Sequence, residues 1–147
     1  AHRYMTASGA HIACSSGEEK SHLAMLPMAA VREAMGITLS RRDDIESFVY
    51  VCVFLFTGSF PWLPADKSLT DAARANVAVH NKRNMPAKEL CGGAPPIIAQ
   101  MFRAVRDMAF ETEPDYEWFE GLLWDHLQEL GFKSLNEVPC DWRKKQP

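Results

Sequence analysis

From Ser40 to Trp62 the chain reads SRRDDIESFVYVCVFLFTGSFPW. Charged residues Arg41 to Asp44 lead into an apolar run that only Glu46, Ser47, Tyr50 and Cys52 interrupt. Thr57-Gly58 ends the run, and a Phe60-Pro61-Trp62 corner follows. A helix apolar on nearly every face must be buried on nearly every face. With about 13 apolar-rich residues it is too short to span a bilayer, which takes about 20. The pattern therefore predicts a buried central helix over about 42–57, with two carboxylates at its head.

The flanking patterns are weaker but of the same kind. Residues 1–24 carry Gly9, Gly17, four serines and three histidines without sustained periodicity, which predicts a loop or a segment ordered by a partner. Residues 68–80, SLTDAARANVAVH, predict a helix capped by Ser68 or Thr70, with Asp71 in its first turn. The interval 81–95 predicts a loop around one short helical turn. Ile97, Ile98, Met101, Phe102, Val105 and Met108 recur at helical spacing over 95–109. Pro114-Asp115 opens a last helix with Trp118, Phe119, Leu122, Leu123, His126, Leu127 and Leu130 on one broad face, and Gly131 as its C-cap. No run alternates with period two. The expectation is an essentially all-α domain over 25–132: a central helix with three further helices around it, and an irregular tail over 133–147.

Composition narrows the function classes. At 147 residues the chain is about one domain. Apolar content of 47% and charged content of 24% are those of an ordinary globule. A net charge of −3 offers no broad field for nucleic acid or an anionic membrane, so neither is expected as a partner. Cys14, Cys52, Cys91 and Cys140 are far apart and form no C-x-x-C pair. A zinc site or disulfide framework is therefore not expected, and reduced thiols suit an intracellular, cytoplasmic compartment.

Direct searches for chemistry return little. There is no G-x-x-x-x-G-K-[ST], G-x-G-x-x-G, H-E-x-x-H or G-x-S-x-G. The five histidines lack metal-ligand spacing, so no metal site is expected, and His126 reads as a core residue. Trp118 and Trp124 read as packing, because no basic residues interleave with them as in a base-stacking platform. Asp43 and Asp44 are adjacent and do not face each other on a helix. They read as structural, an N-cap or a buried carboxylate receiving backbone N–H bonds.

These residues do resemble a known family. RRDDIESFVYVCVFLFTGSFPW is similar to the large central helix in the C-terminal lobe of casein kinase 1 protein kinases. That pattern runs S-R-R-D-D-L-E-S-L-G-Y, an apolar stretch, then G-S-L-P-W. Met35-Gly36-Ile37 resembles the preceding L-G-I, PAKELCGGAP over 86–95 resembles P-I-E-V-L-C-x-G-x-P, and Glu113-Pro114-Asp115-Tyr116 resembles the K-P-D-Y of the last helix. Gly131-Phe132 matches the closing G-F, and Ala1, Tyr4, His11 and Ile12 echo the loop after D-F-G.

The resemblance implies a kinase-like C-terminal lobe beginning just after D-F-G. A kinase needs a Gly-rich loop, a strand Lys paired with a helix Glu, H-R-D-x-x-x-x-N and D-F-G. None of these strings occurs here. The chain is therefore expected to have no catalytic residue and no cofactor of its own, ATP and Mg²⁺ being implied for a complete kinase only. Asp44 matches the carboxylate that braces the catalytic loop, with Phe48 and Cys52 in the hydrophobic floor. Lys82 falls where the resemblance implies an anion-binding basic residue, with Arg83 beside it, and the alternative is a solvated basic loop. The family's G-T-A-R-Y-A-S aligns with residues 24–30, where Met25 replaces the Thr and Pro27 the Arg. Two expectations follow: a piece of a casein kinase 1-like Ser/Thr kinase, or a degenerate, pseudokinase-type module for protein binding or assembly. Either way the partner is another protein chain or the missing N-terminal half of a kinase, met through Met25, Leu26, Pro27, Met28 and the Asp44 region.

Overall fold

A computed structural model describes residues 4–14 and 27–138. Its described elements are helices, in the order α1 (Val31–Ala34), α2 (Arg41–Thr57), α3 (Asp71–Asn84), α4 (Ala87–Leu90), α5 (Pro96–Asp107) and α6 (Tyr116–Glu129), then a 3₁₀ turn at Leu135–Glu137. The exception to helix is a tight turn near the start, where Met5 and His11 form an isolated antiparallel bridge. Among the described residues no helix is long and apolar enough to cross a membrane. The chain forms two compact units, Ala1–Pro114 and Asp115–Pro147.

In the first unit α2 packs chiefly against α5, α1 against α3 and α2, and α4 against α5. Local sequence sets the ends of α2. Ser40 and Asp43 form a capping box at its start. Gly58 closes it at φ 67°, a left-handed conformation that glycine adopts without steric cost. Thr70 caps α3 by accepting from the Ala73 N–H at 3.3 Å. Pro96 opens α5 at a position where its missing N–H is no loss.

Two expectations about extent are corrected. The central helix is not covered all round: Val49, Tyr50, Cys52 and Val53 are buried, but Phe48, Phe56 and Leu55 are 41%, 53% and 73% exposed. Its apolar side chains outnumber the neighbours available in this unit, so one side reaches the surface. The interval 81–95 is not loop throughout, because α3 continues to Asn84. The Asn81 amide donates to the Trp62 carbonyl at 3.0 Å, and Lys82 turns inward, so this polar turn is anchored on the core.

In the second unit, Asp115 caps α6 by accepting from the Trp118 N–H at 2.9 Å. Gly131 at φ 92° ends it, its N–H bonded to the Gln128 carbonyl at 2.8 Å. His126 is only half-buried and lies 3.4 Å from the Glu129 carboxylate.

Candidate functional site

The chemistry of the first unit gathers at the head of α2. Asp43 Oδ2 accepts from the Ser40 N–H at 2.7 Å and from its hydroxyl at 3.1 Å. Asp43 is buried, and its Oδ1 has no hydrogen-bond partner among the described residues. Asp44, one position on, is exposed and accepts from the Tyr4 hydroxyl. The buried carboxylate receiving a backbone N–H is thus Asp43, while the residue matched to the kinase brace lies at the surface. Consecutive helix positions sit about 100° apart around the axis, so one of the pair faces in and the other out.

One turn further, Glu46 and Tyr50 are neighbours at i and i+4. Tyr50 donates to Glu46 Oε1 at 2.5 Å, and the same oxygen takes the Val31 N–H at 3.4 Å. Burial raises the Glu46 carboxyl above its ordinary range, against the lowering effect of the Tyr50 bond. Burial, with the negative Glu46 beside it, also raises the Tyr50 phenol.

Lys82 completes the cluster. Its side chain is fully buried, and its ammonium donates to the Ala29 carbonyl at 2.6 Å. It stands 4.3 Å from the Tyr50 ring centre and 5.3 Å from that of Trp62, within cation–π range of both. Desolvation pushes its pKa down to about 7, partly offset by Glu46 and Glu33. Trp62, also fully buried, donates its indole N–H to the Pro27 carbonyl at 2.9 Å. The chain leading into α1 is therefore tied to the core by two side chains, at Pro27 and at Ala29.

Against this geometry the predicted site residues separate. Lys82 is not on a solvated loop; it is an interior residue of α3, placed one turn after buried Ala78. Its neighbour Arg83 is exposed. Pro27 and Met28 are half-buried in a turn, and Met25 and Leu26 lie outside the described residues. The structure brings Lys82 and Arg83 together with Arg32, Arg42 and Arg106 around a cleft of about 330 Å³, with Asp43 and Glu46 also in its wall. Sequence reasoning found neither the Glu46–Tyr50–Lys82 cluster nor the arginines. Its available signal was the i, i+4 spacing of the two polar residues that break the apolar run.

Comparison with known proteins agrees with the helical pattern. No protein-family model matches the chain. A probable casein kinase I homolog from Encephalitozoon cuniculi is 30% identical over 129 residues, 88% of this chain and 41% of that protein. Casein kinase I homolog 1 from Schizosaccharomyces pombe is 29% identical over 113 residues, 77% of this chain and 25% of that protein.

The chain is a casein kinase 1 relative.

Its fold is the helical half of a kinase-like C-terminal lobe, with α2 as the central helix. It spans from a quarter to about two-fifths of the length of these two casein kinase I homologs. The kinase-derived lobe thus carries an exposed Asp44 at the head of α2 and a buried lysine beside the cleft.

Proposed function

We propose that this chain is the helical, substrate-side lobe of a casein kinase 1-like Ser/Thr protein kinase and transfers no phosphate by itself. The observation that carries this reading is Asp44: it sits where the kinase pattern has its loop brace, at the exposed head of α2. What a brace of this kind does is accept N–H bonds from a neighbouring segment and hold it in shape. Phe48, one turn along the same side, and Leu55, two turns further, extend that exposed surface in apolar form.

In this reading ATP and Mg²⁺ belong to a complete kinase. The sequence has no Gly-rich phosphate loop, no H-R-D-x-x-x-x-N and no D-F-G. Among the described residues no group of three or more His, Cys, Asp or Glu side chains could hold a metal ion. Phosphoryl transfer is almost entirely positioning and electrostatics, so a chain without the positioning groups has no route to it. No step of that reaction is assigned to these residues.

A second reading rests on a separate observation: the segment matched to the substrate-facing loop carries Met25 and Pro27 in place of Thr and Arg. It makes the chain a degenerate, pseudokinase-type module of the cytoplasm that binds another protein or serves as a structural subunit. In both readings the partner is protein, either the N-terminal half of a kinase or another chain. The test is phosphotransfer from labelled ATP to casein by the 147-residue chain, beside Asp44→Asn. No transfer by either is expected. Transfer by the wild-type chain that Asp44→Asn abolishes would refute the claim that it is inactive alone.

A further inference from the structure

Residues 27–31, the chain entering α1, are tied to the core at three alternate positions. Trp62 donates its indole N–H to the Pro27 carbonyl at 2.9 Å, and the Lys82 ammonium donates to the Ala29 carbonyl at 2.6 Å. Glu46 Oε1 takes the Val31 N–H at 3.4 Å. Between these ties Ala29 and Ala30 are buried. The stretch has little else to hold it, because α1 is four residues long and its start has no side-chain cap. A helix that short does not hold itself in water, so the core ties keep this strap in place. Val31, Arg32, Met35 and Ile37, which follow directly, form one wall of the cleft.

Two of the three ties can change charge. Lys82 is fully buried and Glu46 half-buried. Taking an ammonium out of water is costly even when a carbonyl receives it. A neutral amine keeps an N–H for Ala29 without that cost. The seated strap therefore favours the neutral amine, whereas a lifted strap, which lets water reach Nζ, favours the ammonium. Burial accordingly lowers Lys82 to about 7, against the opposing pull of Glu46 on α2 and Glu33 on α1. Arg32, Arg42, Arg83 and Arg106 line the same cleft with like charge, and guanidinium groups do not titrate here. Asp43 lines it too, with its Oδ2 engaged by the Ser40 N–H. Burial and Glu46 raise the Tyr50 phenol, so Tyr50 keeps its proton and its bond to Glu46. Burial also raises Glu46, which acts with the opposite sign: its part in the seated state weakens as pH rises.

We propose that residues 27–31 form a pH-sensitive latch on the cleft, seated while the Lys82 amine is neutral and released, together with the α1 wall, when that amine takes up a proton on the acid side of neutrality. The proton reaches Nζ during the opening itself, so the closed structure needs no path to it. The latch does not depend on the kinase reading, and it is measured without ATP or phosphotransfer.

The experiment is amide hydrogen exchange of the 147-residue chain, read by nuclear magnetic resonance between about pH 7 and pH 9, below the range where Cys91 enters. The reporters are the Trp62 indole N–H and the Val31, Ala34, Met35 and Ile37 amides, all bonded in the seated strap or its wall. An amide whose opening ignores pH exchanges in proportion to hydroxide. Opening of the latch takes up one proton, so its equilibrium falls by up to about tenfold per pH unit. Protection of the reporters should therefore rise at least about tenfold across the window, leaving their measured rates nearly level. The amides of buried Met101 and Phe102 on α5 report global unfolding and should exchange at least about tenfold more slowly than the latch. Lys82→Met should return the reporters to proportionality with hydroxide. Glu46→Gln, which keeps an acceptor for Tyr50 but removes a charge that favours the ammonium, should move the rise to lower pH. It keeps the test readable should Lys82→Met melt early. Reporters that follow hydroxide in the wild type, a rise that survives Lys82→Met, or protection equal to that of α5 each overturn the proposal.

Discussion

Lys82 Nζ lies 2.6 Å from the carbonyl oxygen of Ala29, joining the last turn of α3 to the chain entering α1 through the interior. An ammonium in this setting is costly unless hydrogen bonds and nearby charge compensate it. The Ala29 carbonyl, the rings of Tyr50 and Trp62, and Glu46 supply that compensation. The contact binds residues 53 positions apart, so it is a tertiary link and not a helix decoration.

Replacing Lys82 separates its two roles. Lys82→Ala removes the stem from a fully buried position and leaves the Ala29 carbonyl without this donor. It should cost about 2–4 kcal/mol. Lys82→Met keeps most of the volume and removes the buried charge, so it should cost no more than about 1 kcal/mol. Urea unfolding followed by circular dichroism gives both values. Equal losses in the two variants would mean that the charge, not the packing, dominates.

Stability should depend on pH through the same residue. The Lys82 pKa is about 7 folded against 10.5 ordinarily, so in this range the unfolded chain binds more protons. Stability then rises with pH, by at most about 1.4 kcal/mol per pH unit. Burial raises the Cys91 thiol to about 11 from 9.0, and its contribution is lost as pH rises above 9.0. Glu46, raised from 4.5, likewise contributes stability that is present below 4.5 and lost as pH climbs through its folded value. The clean window is therefore between about pH 7 and pH 9. There the stability of the wild type minus that of Lys82→Met should climb with pH. A flat difference would remove Lys82 as the titrating group.

Much of this architecture is legible along the chain because its signals are local. Ser40 with Asp43 starts α2 and Gly58 stops it, Pro95-Pro96 opens α5, and Asp115 opens α6. What escapes the sequence is tertiary. The run Asn81-Lys82-Arg83-Asn84 looks like a polar loop, and nothing local says that Lys82 follows Ala78 into the core. Periodicity places apolar side chains on α2 but does not say how many neighbours will cover them, so it predicts burial for Phe48 and Leu55, which are exposed. The cleft arginines come from positions 32, 42, 83 and 106, which only the fold brings together.

Asp43 and Asp44 should respond oppositely to substitution despite being adjacent. Asp43→Ala removes the acceptor of the buried Ser40 N–H at 2.7 Å and breaks the capping box. It should cost about 1–2 kcal/mol. Asp44→Asn retains an oxygen that can accept from the Tyr4 hydroxyl at an exposed position, so its stability should change by no more than about 0.5 kcal/mol. Denaturant midpoints of the two variants decide it. A larger loss at Asp44 would make Asp44, not Asp43, the structural carboxylate of α2.

The exposed side of α2 gives the last prediction. Asp44, Phe48 and Leu55 follow one another at i, i+4 and i+11, so they share one side of the helix. Phe48 is 41% exposed and Leu55 73%, which places two large apolar groups at the surface beside a carboxylate. Large apolar side chains exposed on one side of a helix make that side a candidate for a protein contact. Leu55→Gln has little buried area to lose, so stability should move by no more than about 0.5 kcal/mol. The wild-type chain should associate as its concentration is raised in sedimentation velocity, and Phe48→Gln with Leu55→Gln should abolish that association. It should also weaken capture of the kinase N-terminal half, where that segment is the partner. A wild-type chain that stays monomeric and binds no such segment would leave this side of α2 as ordinary surface and remove it from the proposed contact.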